Sequence, residues 1–221
     1  MIRSLAVLAF LASLAMACGE PAPSTDQSSA NAAQAGDAEA PKPAARPEAD
    51  IVRVRLETGD GPIVLALDHK HAPITTENFL RYVDSKRFDD VTFYRAASPA
   101  GAKGTGFIQG GIQRNYRRMF APIAHEPTGK TGLRHGAGTI SMARLAPGTA
   151  AGEFIITVSA QPGLDESGGN PGFAAFGRVL EGMDTVRRIH AAPTIPNAGR
   201  GPLKGQMIAE PVRIVTARRV G

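Results

Sequence analysis

The chain has no tryptophan, three tyrosines and a single cysteine, Cys18. With one cysteine no intrachain disulfide can form, so a disulfide framework is excluded as the source of stability. No lysine-rich block occurs, although the net charge is +5. The nearest thing to a basic cluster is Arg114, Arg117 and Arg118. It reads as a solvated loop, and no nucleic-acid partner is expected. No apolar run reaches the roughly 20 residues that a membrane-spanning helix needs, and no internal repeat is evident. Residues 19–50 contain no Val, Ile, Leu, Met or aromatic residue. Such a stretch cannot bury enough apolar surface to offset the entropy of ordering it.

What is present at the N-terminus is a charge, Arg3, and then an apolar run over residues 5–17 interrupted only by Ser13. The run ends in Ala15-Met16-Ala17 before Cys18, which is the pattern of a cleaved signal peptide over residues 1–17. The stretch from Leu14 to Cys18 resembles a bacterial lipoprotein lipobox, which implies a lipid on Cys18. The departure is Ala15, where that motif prefers leucine and this chain has Leu14 one step early. The alternative is cleavage after Ala-Met-Ala with release of a soluble periplasmic protein, which leaves the lone cysteine without a purpose. The expectation is an exported periplasmic protein, anchored to a membrane through an N-terminal lipid. Gly19 is not the aspartate that tends to retain such proteins in the inner membrane, so the outer membrane is implied. Residues 18–50 are then a disordered Ala/Pro-rich tether whose reach is roughly 30 Å.

Residues 51–221 are long enough for one domain with a full core. Residues 51–58 alternate, with Val52, Val54 and Leu56 on one face and charges on the other, and read as a half-buried antiparallel strand. A turn at Gly59-Asp60-Gly61-Pro62 leads into a return strand over 63–67. Pro73 opens a helix in which Phe79, Tyr82 and Val83 recur at helical spacing. Strand candidates follow at 92–96, 107–110, 138–143, 153–159 and 174–179, then a second helix at 183–190 and a closing strand at 211–220. Many strands with two helices far apart predict a mainly β fold, a closed barrel capped by two helices.

Several fragments carry a resemblance when taken together and in order. They are Ala72-Pro73 with Glu77-Asn78-Phe79-Leu80; Phe93-Tyr94-Arg95; Phe107-Ile108-Gln109-Gly110-Gly111; residues 138–143; and Phe176-Gly177-Arg178-Val179 with Glu181-Gly182-Met183-Asp184. Over nearly all of residues 51–221 the chain resembles the cyclophilins. The resemblance implies a closed eight-stranded antiparallel barrel capped by two α-helices, peptidyl-prolyl cis-trans isomerase activity, and neither metal nor organic cofactor. It implies that Arg95 is the catalytic arginine and Gln109 the glutamine that orients it. Phe107, Ile155, Leu164 and Phe173 would form the socket for the proline ring. Backbone groups around Ala143, Arg144 and Leu145 would bind the substrate main chain, and Glu153 would line the site. The implied partners are proline-containing polypeptides, bound by a monomer.

This sequence departs from the family pattern at several of these places. Glu153 stands for a glutamine, Ile155 for a phenylalanine, Gly163 for a tryptophan, Phe173 for a histidine and Arg144 for an asparagine. A carboxylate at 153 is expected to pair with Arg95, orienting it or competing with substrate. The loss of an aromatic donor at Gly163 implies weak binding of cyclosporin. These changes keep open a noncatalytic proline-peptide-binding chaperone on the same scaffold.

The chemistry can be argued from the residues alone. An X-Pro bond is held planar by a barrier of about 18–20 kcal/mol. In the twisted transition state the proline nitrogen regains a lone pair. A fixed, permanently charged donor such as an arginine favours that state over the planar one.

Strand parity supports the socket, since Phe107 and Gln109 share one face while Glu153 and Ile155 share another, with Ile108 and Phe154 turned away. Two other motifs carry less. Residues 101–106 suggest a phosphate loop but lack the Gly-Lys-Ser/Thr order, and read as a flexible surface loop. His69 and His71 have no further cysteine or histidine nearby to complete a metal site.

Overall fold

The alternating segment Ile51–Thr58 forms strand β1, and its apolar residues Val54 and Leu56 are fully buried. A tight turn returns the chain as β2 (Gly61–Asp68), with Val54 opposite Leu65. The side chain of Thr58 closes that turn, accepting from the Asp60 amide at 3.2 Å and donating to the Gly61 carbonyl at 2.5 Å. This computed structural model describes residues 49–99, 102 and 104–221. Cys18, the expected signal peptide over 1–17 and nearly all of the expected tether over 18–50 lie outside the described residues.

Helix α1 (Pro73–Asp84) starts on a proline, whose fixed φ and missing N–H suit a first helical turn. Ala72 offers no side-chain cap. The carboxylate of Glu126, buried and 51 residues downstream of Thr75, supplies one. It accepts from the amides of Ile74 (3.2 Å) and Thr75 (2.7 Å) and from the Thr75 hydroxyl (2.6 Å). A negative charge there also meets the positive end of the helix dipole.

The remaining elements are β3 (Val91–Ala97), β4 (Phe107–Gly111), α2 (Thr128–Thr131), β5 (Thr139–Met142), β6 (Glu153–Thr157), β7 (Ala174–Glu181), α3 (Met183–Ala191), β8 (Thr194–Ile195) and β9 (Met207–Val220). Strand order is β1-β2-β7-β5-β6-β4-β3-β9-β8, every pairing is antiparallel, and β1 also pairs with β9. The sheet therefore closes as an eight-stranded barrel, as expected, and β8 is an extra strand beside β9.

Besides β8 and two short 3-10 turns, at Pro162–Leu164 and Gly201–Leu203, two further features were not expected. One is the four-residue helix α2. The other is the early start of β9 at Met207, ahead of the expected 211. Pro211 is tolerated inside this strand because it falls where the β3–β9 register shifts, between the pairs Phe93–Val212 and Arg95–Met207.

The core is a single apolar cluster that fills the barrel. Phe79 of α1 lies at the centre of its aromatic part, with ring centroids 4.9 Å from Phe88 and 5.4 Å from both Phe154 and Phe176. Helix α3 adds Val186 and Ile189 to the same core. Truncating Phe79 to alanine would cost about 3–5 kcal/mol. Among the described residues no helix is long and apolar enough to cross a membrane.

Candidate active site

Strict alternation along β3 would put Phe93 and Arg95 on one face and Tyr94 on the other. Phe93 is fully buried in the barrel. A register shift between Phe93 and Arg95, present in both the β3–β4 and the β3–β9 pairings, breaks the alternation. Such a bulge re-aims a side chain. Here it lets both Tyr94 and Arg95 line the same outer cavity.

Arg95 is held from two sides. Its Nε donates to Gln206 Oε1 at 2.8 Å and its Nη1 donates to Gln109 Oε1 at 2.7 Å, while Cζ lies 5.1 Å from the Phe107 ring centroid. Nη2 has no hydrogen-bond partner among the described residues. Burial lowers the pKa of this guanidinium below the ordinary arginine value. Gln206 lies 111 residues from Arg95 in the chain and is itself tied down, its Nε2 donating to the Pro202 carbonyl at 2.9 Å.

Behind Gln109 the network continues. Gln109 Nε2 donates to the Tyr94 hydroxyl at 2.6 Å, the hydroxyl donates to Glu153 Oε2 at 2.6 Å, and the Arg114 amide donates to Glu153 Oε1 at 3.2 Å. The expected pairing of Glu153 with Arg95 is not made. The bulge in β3 brings the Tyr94 hydroxyl to the carboxylate, and Arg95 turns to the two glutamines. Burial raises the Glu153 carboxyl above the usual carboxylate range, against the opposing effects of Tyr94 and of Arg114. The Tyr94 phenol is raised as well, first by burial and then by the charge of Glu153. Gly111, at φ +141°, makes room for this arrangement, since a Cβ there would stand 2.3 Å from the Gly152 carbonyl oxygen and 2.9 Å from Glu153 Oε2.

The apolar side of the cavity comes from different elements. Ile155 is buried on β6 directly opposite Gln109 of β4, so parity places it beside the Arg95 network. Leu164 ends a short 3-10 turn over Pro162–Leu164, and its carbonyl accepts from the Phe173 amide at 2.9 Å. His135 holds this turn from below. The His135 carbonyl accepts from the Gln161 amide (2.7 Å), while Asp165 Oδ1 lies 3.1 Å from the His135 amide and 2.7 Å from its Nδ1. His135 Nε2 is 2.9 Å from the Ser141 hydroxyl on β5. The Arg144 guanidinium lies 4.9 Å from the Phe173 ring and donates from Nη2 to the Gly172 carbonyl, while its buried Nε has no partner.

All ten expected residues of the cavity line one space of about 660 Å³: Arg95, Gln109, Phe107, Ala143, Arg144, Leu145, Glu153, Ile155, Leu164 and Phe173. That volume is within the range of small-ligand and peptide sites. The main-chain edge is narrower than expected, because the Ala143 amide is taken by the Glu153 carbonyl and the Leu145 amide by Thr149 Oγ1. The Arg144 amide has no partner among the described residues and is the donor left for a peptide. His69 pairs with Glu77 and His71 with Asp68, and no group of three or more His, Cys, Asp or Glu that could hold a metal occurs among the described residues.

A family profile described as cyclophilin type peptidyl-prolyl cis-trans isomerase/CLD matches residues 53–218. The chain belongs to this family. It is 37% identical over 172 residues to a peptidyl-prolyl cis-trans isomerase of Streptomyces antibioticus, an alignment spanning 76% of this chain and 98% of that one. It is 33% identical over 142 residues to one of Acinetobacter baylyi, spanning 64% and 73%. A crystal structure of a cyclophilin-type isomerase from Cryptosporidium parvum shares the fold at a TM-score of 0.61 and 22% identity, covering 77% of this chain and 98% of that one. A second crystal structure of that protein was obtained in the presence of the dipeptide Ala-Pro. The antiparallel, mainly β cyclophilin barrel is thus the fold of this chain, and these relatives are peptidyl-prolyl isomerases.

Sequence reasoning missed Gln206, Tyr94 and His135. Gln206 sits in a Gly/Pro-rich segment with no periodic signal. Tyr94 was hidden by the bulge, which no residue pattern in β3 announces. His135, in the sequence Arg134-His135-Gly136, had no visible partner until Asp165 was brought to it.

Proposed function

We propose that this cyclophilin catalyses rotation about X-Pro bonds at the cavity beside Arg95, and that it does so on exported polypeptides. The observation that carries the reading is Arg95 itself, fixed by two glutamines with Nη2 left to donate at the mouth of an apolar socket. The proline ring enters between Phe107, Ile155, Leu164 and Phe173, as befits a relative studied with Ala-Pro, while the Arg144 amide holds the peptide main chain. Rotation of the X-Pro bond out of plane localises a lone pair on the proline nitrogen. Nη2 donates to that lone pair, a bond that the planar amide cannot accept. The two glutamines prepay the ordering of the guanidinium, so little reorganisation accompanies the step.

The isomerisation of a proline-containing tetrapeptide, followed with wild type and Arg95→Ala, tests this. Acceleration by wild type that is largely lost in the variant, with the far-UV spectrum unchanged, is expected; equal rates would remove Arg95 from catalysis. Glu153, Ile155 and Gly163, all changed from the family pattern, favour a second reading, a noncatalytic proline-peptide-binding chaperone. Peptide binding at the spontaneous isomerisation rate would select it.

Export and anchoring are part of the proposal. Residues 1–17 act as the signal peptide, lipid is attached at Cys18, residues 18–50 form the tether, and the domain over 51–221 works in the periplasm from the outer membrane. The lone cysteine at the end of the apolar run supports this. Cys18→Ser should move the protein from the membrane to the soluble fraction, and an unchanged distribution would reject the lipid.

A further inference from the structure

We propose that Glu153, acting through Tyr94, is a positioning residue that fixes the amide of Gln109 in one direction and thereby aims Arg95. The inference rests on the isomerase reading of this cavity. Four side chains form one unbranched line of hydrogen bonds: Arg95 Nη1 to Gln109 Oε1 (2.7 Å), Gln109 Nε2 to Tyr94 OH (2.6 Å), and Tyr94 OH to Glu153 Oε2 (2.6 Å). Each link is satisfied in one direction only. A guanidinium only donates, so Arg95 Nη1 is satisfied only when Gln109 turns its oxygen to it. The Gln109 NH2 then faces Tyr94, whose oxygen must accept. The single phenolic proton has to leave toward a group that accepts, and an ionised carboxylate does nothing else.

Without an acceptor at 153 the phenol turns and donates to Gln109. That favours the flipped amide, which sets its NH2 against the guanidinium and leaves Arg95 Nη1 without an acceptor. The site is partly buried, so water replaces a missing member poorly.

The second carboxylate oxygen strengthens the case. It accepts from the Arg114 amide at 3.2 Å, so both oxygens of Glu153 are in use as acceptors. A proton on Oε2 opposes the Tyr94 donor, and a proton on Oε1 opposes the Arg114 donor. The titratable and charged groups around Glu153 are Tyr94 and, beyond it, Arg95 on β3, Arg114 after β4, and Tyr82 on α1, whose own ionisation Glu153 disfavours. Burial holds the Glu153 carboxyl above its usual range and keeps the proton on Tyr94. Acidification therefore removes the directing charge at a pH above the ordinary glutamate value of about 4.3.

The test uses the domain in its full chain, with isomerase kinetics across pH and the side-chain amide resonances of Gln109 recorded without substrate. Glu153→Leu and Tyr94→Phe are each expected to lower kcat by about tenfold with KM little changed, and the double variant no further, because one line is broken once. Glu153→Gln, which still offers an oxygen to Tyr94 but cannot titrate, should recover most of the loss seen in Glu153→Leu and lack the acid limb of the wild-type profile. In wild type the Gln109 amide should follow the titration of Glu153, and in Tyr94→Phe it should not. Additive losses, an acid limb that persists in Glu153→Gln, or a Gln109 amide indifferent to pH would each overturn the proposal. A wild type without turnover whose Gln109 amide still follows Glu153 would remove the isomerase reading and uphold the line of bonds.

Discussion

The two walls of the cavity are built by opposite means. The polar wall of Arg95, Gln109, Tyr94 and Glu153 stands on paired strands β3, β4 and β6, and its side chains fix one another. Of the apolar wall, Phe107 and Ile155 share those strands, but Leu164 and Phe173 stand on loops, where a buried histidine, His135, fixes the backbone. The polar wall aims a donor whose contribution appears only in the twisted state, so damage to it should lower kcat. The apolar wall receives the proline ring in planar and twisted states alike, so damage to it should raise KM.

The sharpest way to break this division is Arg95→Ala, expected to lower kcat/KM by about 10²–10³-fold, the usual loss for one preorganised transition-state donor, with KM nearly constant. A matching rise in KM would merge the two walls into one binding surface. Next is His135→Ala, which removes the side-chain contacts to Asp165 and Ser141, leaves only the two backbone ties, and so loosens the turn that carries Leu164. It should cost about 1–3 kcal/mol in denaturant unfolding and raise KM several-fold more than it lowers kcat.

The same residue gives a pH signature. Burial lowers the His135 pKa in the folded state, ahead of the opposing pull of Asp165. The unfolded chain therefore binds the proton more tightly, and the stabilisation by His135 is complete above about pH 6.5 and is lost as pH falls through the lower folded value. The gap in stability between wild type and His135→Ala should narrow over that acid range.

Gly106→Ala probes the junction between the walls and the loop before β4. At φ +113° its Cβ would stand 1.9 Å from the Ala97 carbonyl oxygen, so a cost of about 1–3 kcal/mol and a fall of several degrees in Tm are expected. A smaller effect, of opposite sign, is expected for Glu153→Gln. Since burial raises the Glu153 carboxyl, the native protein holds that proton more tightly than the unfolded chain does, and ionisation costs stability as pH rises through the raised value. The variant should melt about 1–3 °C above wild type near pH 7, with the difference closing below about pH 4.

Least disruptive is Gly163→Trp. A Cβ at 163 meets no atom within 4 Å, so the substitution starts into open space, and its indole N–H would supply the donor expected to be missing. Cyclosporin binding should tighten by about threefold to tenfold, the worth of one hydrogen bond, with turnover little altered. Unchanged affinity would separate the expected weak binding from position 163.

Much of this could be read along the chain because it is local. Alternation placed Val54, Leu56, Ile108 and Phe154 in the barrel and turned Phe107, Gln109, Glu153 and Ile155 outward, and all eight lie where parity puts them. The reading failed where one residue departs from its period. It assigned Glu153 to Arg95 because the bulge between Phe93 and Arg95 leaves no mark in composition, yet that bulge delivers the Tyr94 hydroxyl to the carboxylate. It also failed where partners are remote, as with Glu126 at the start of α1 and Gln206 on Arg95.

Legible along the chain were the eight barrel strands, the two larger helices, the order of the family's motifs and the identity of the residues around the cavity. These depend on periods of two and 3.6 and on short motifs that neighbouring residues carry. Only the tertiary structure decided who holds whom: Gln206 on Arg95, Tyr94 between Gln109 and Glu153, and His135 beneath the turn of Leu164. Hydrogen bonds reach about 3 Å and take no account of distance along the chain. Closure of the barrel and one bulge set those partnerships, and no local pattern encodes either.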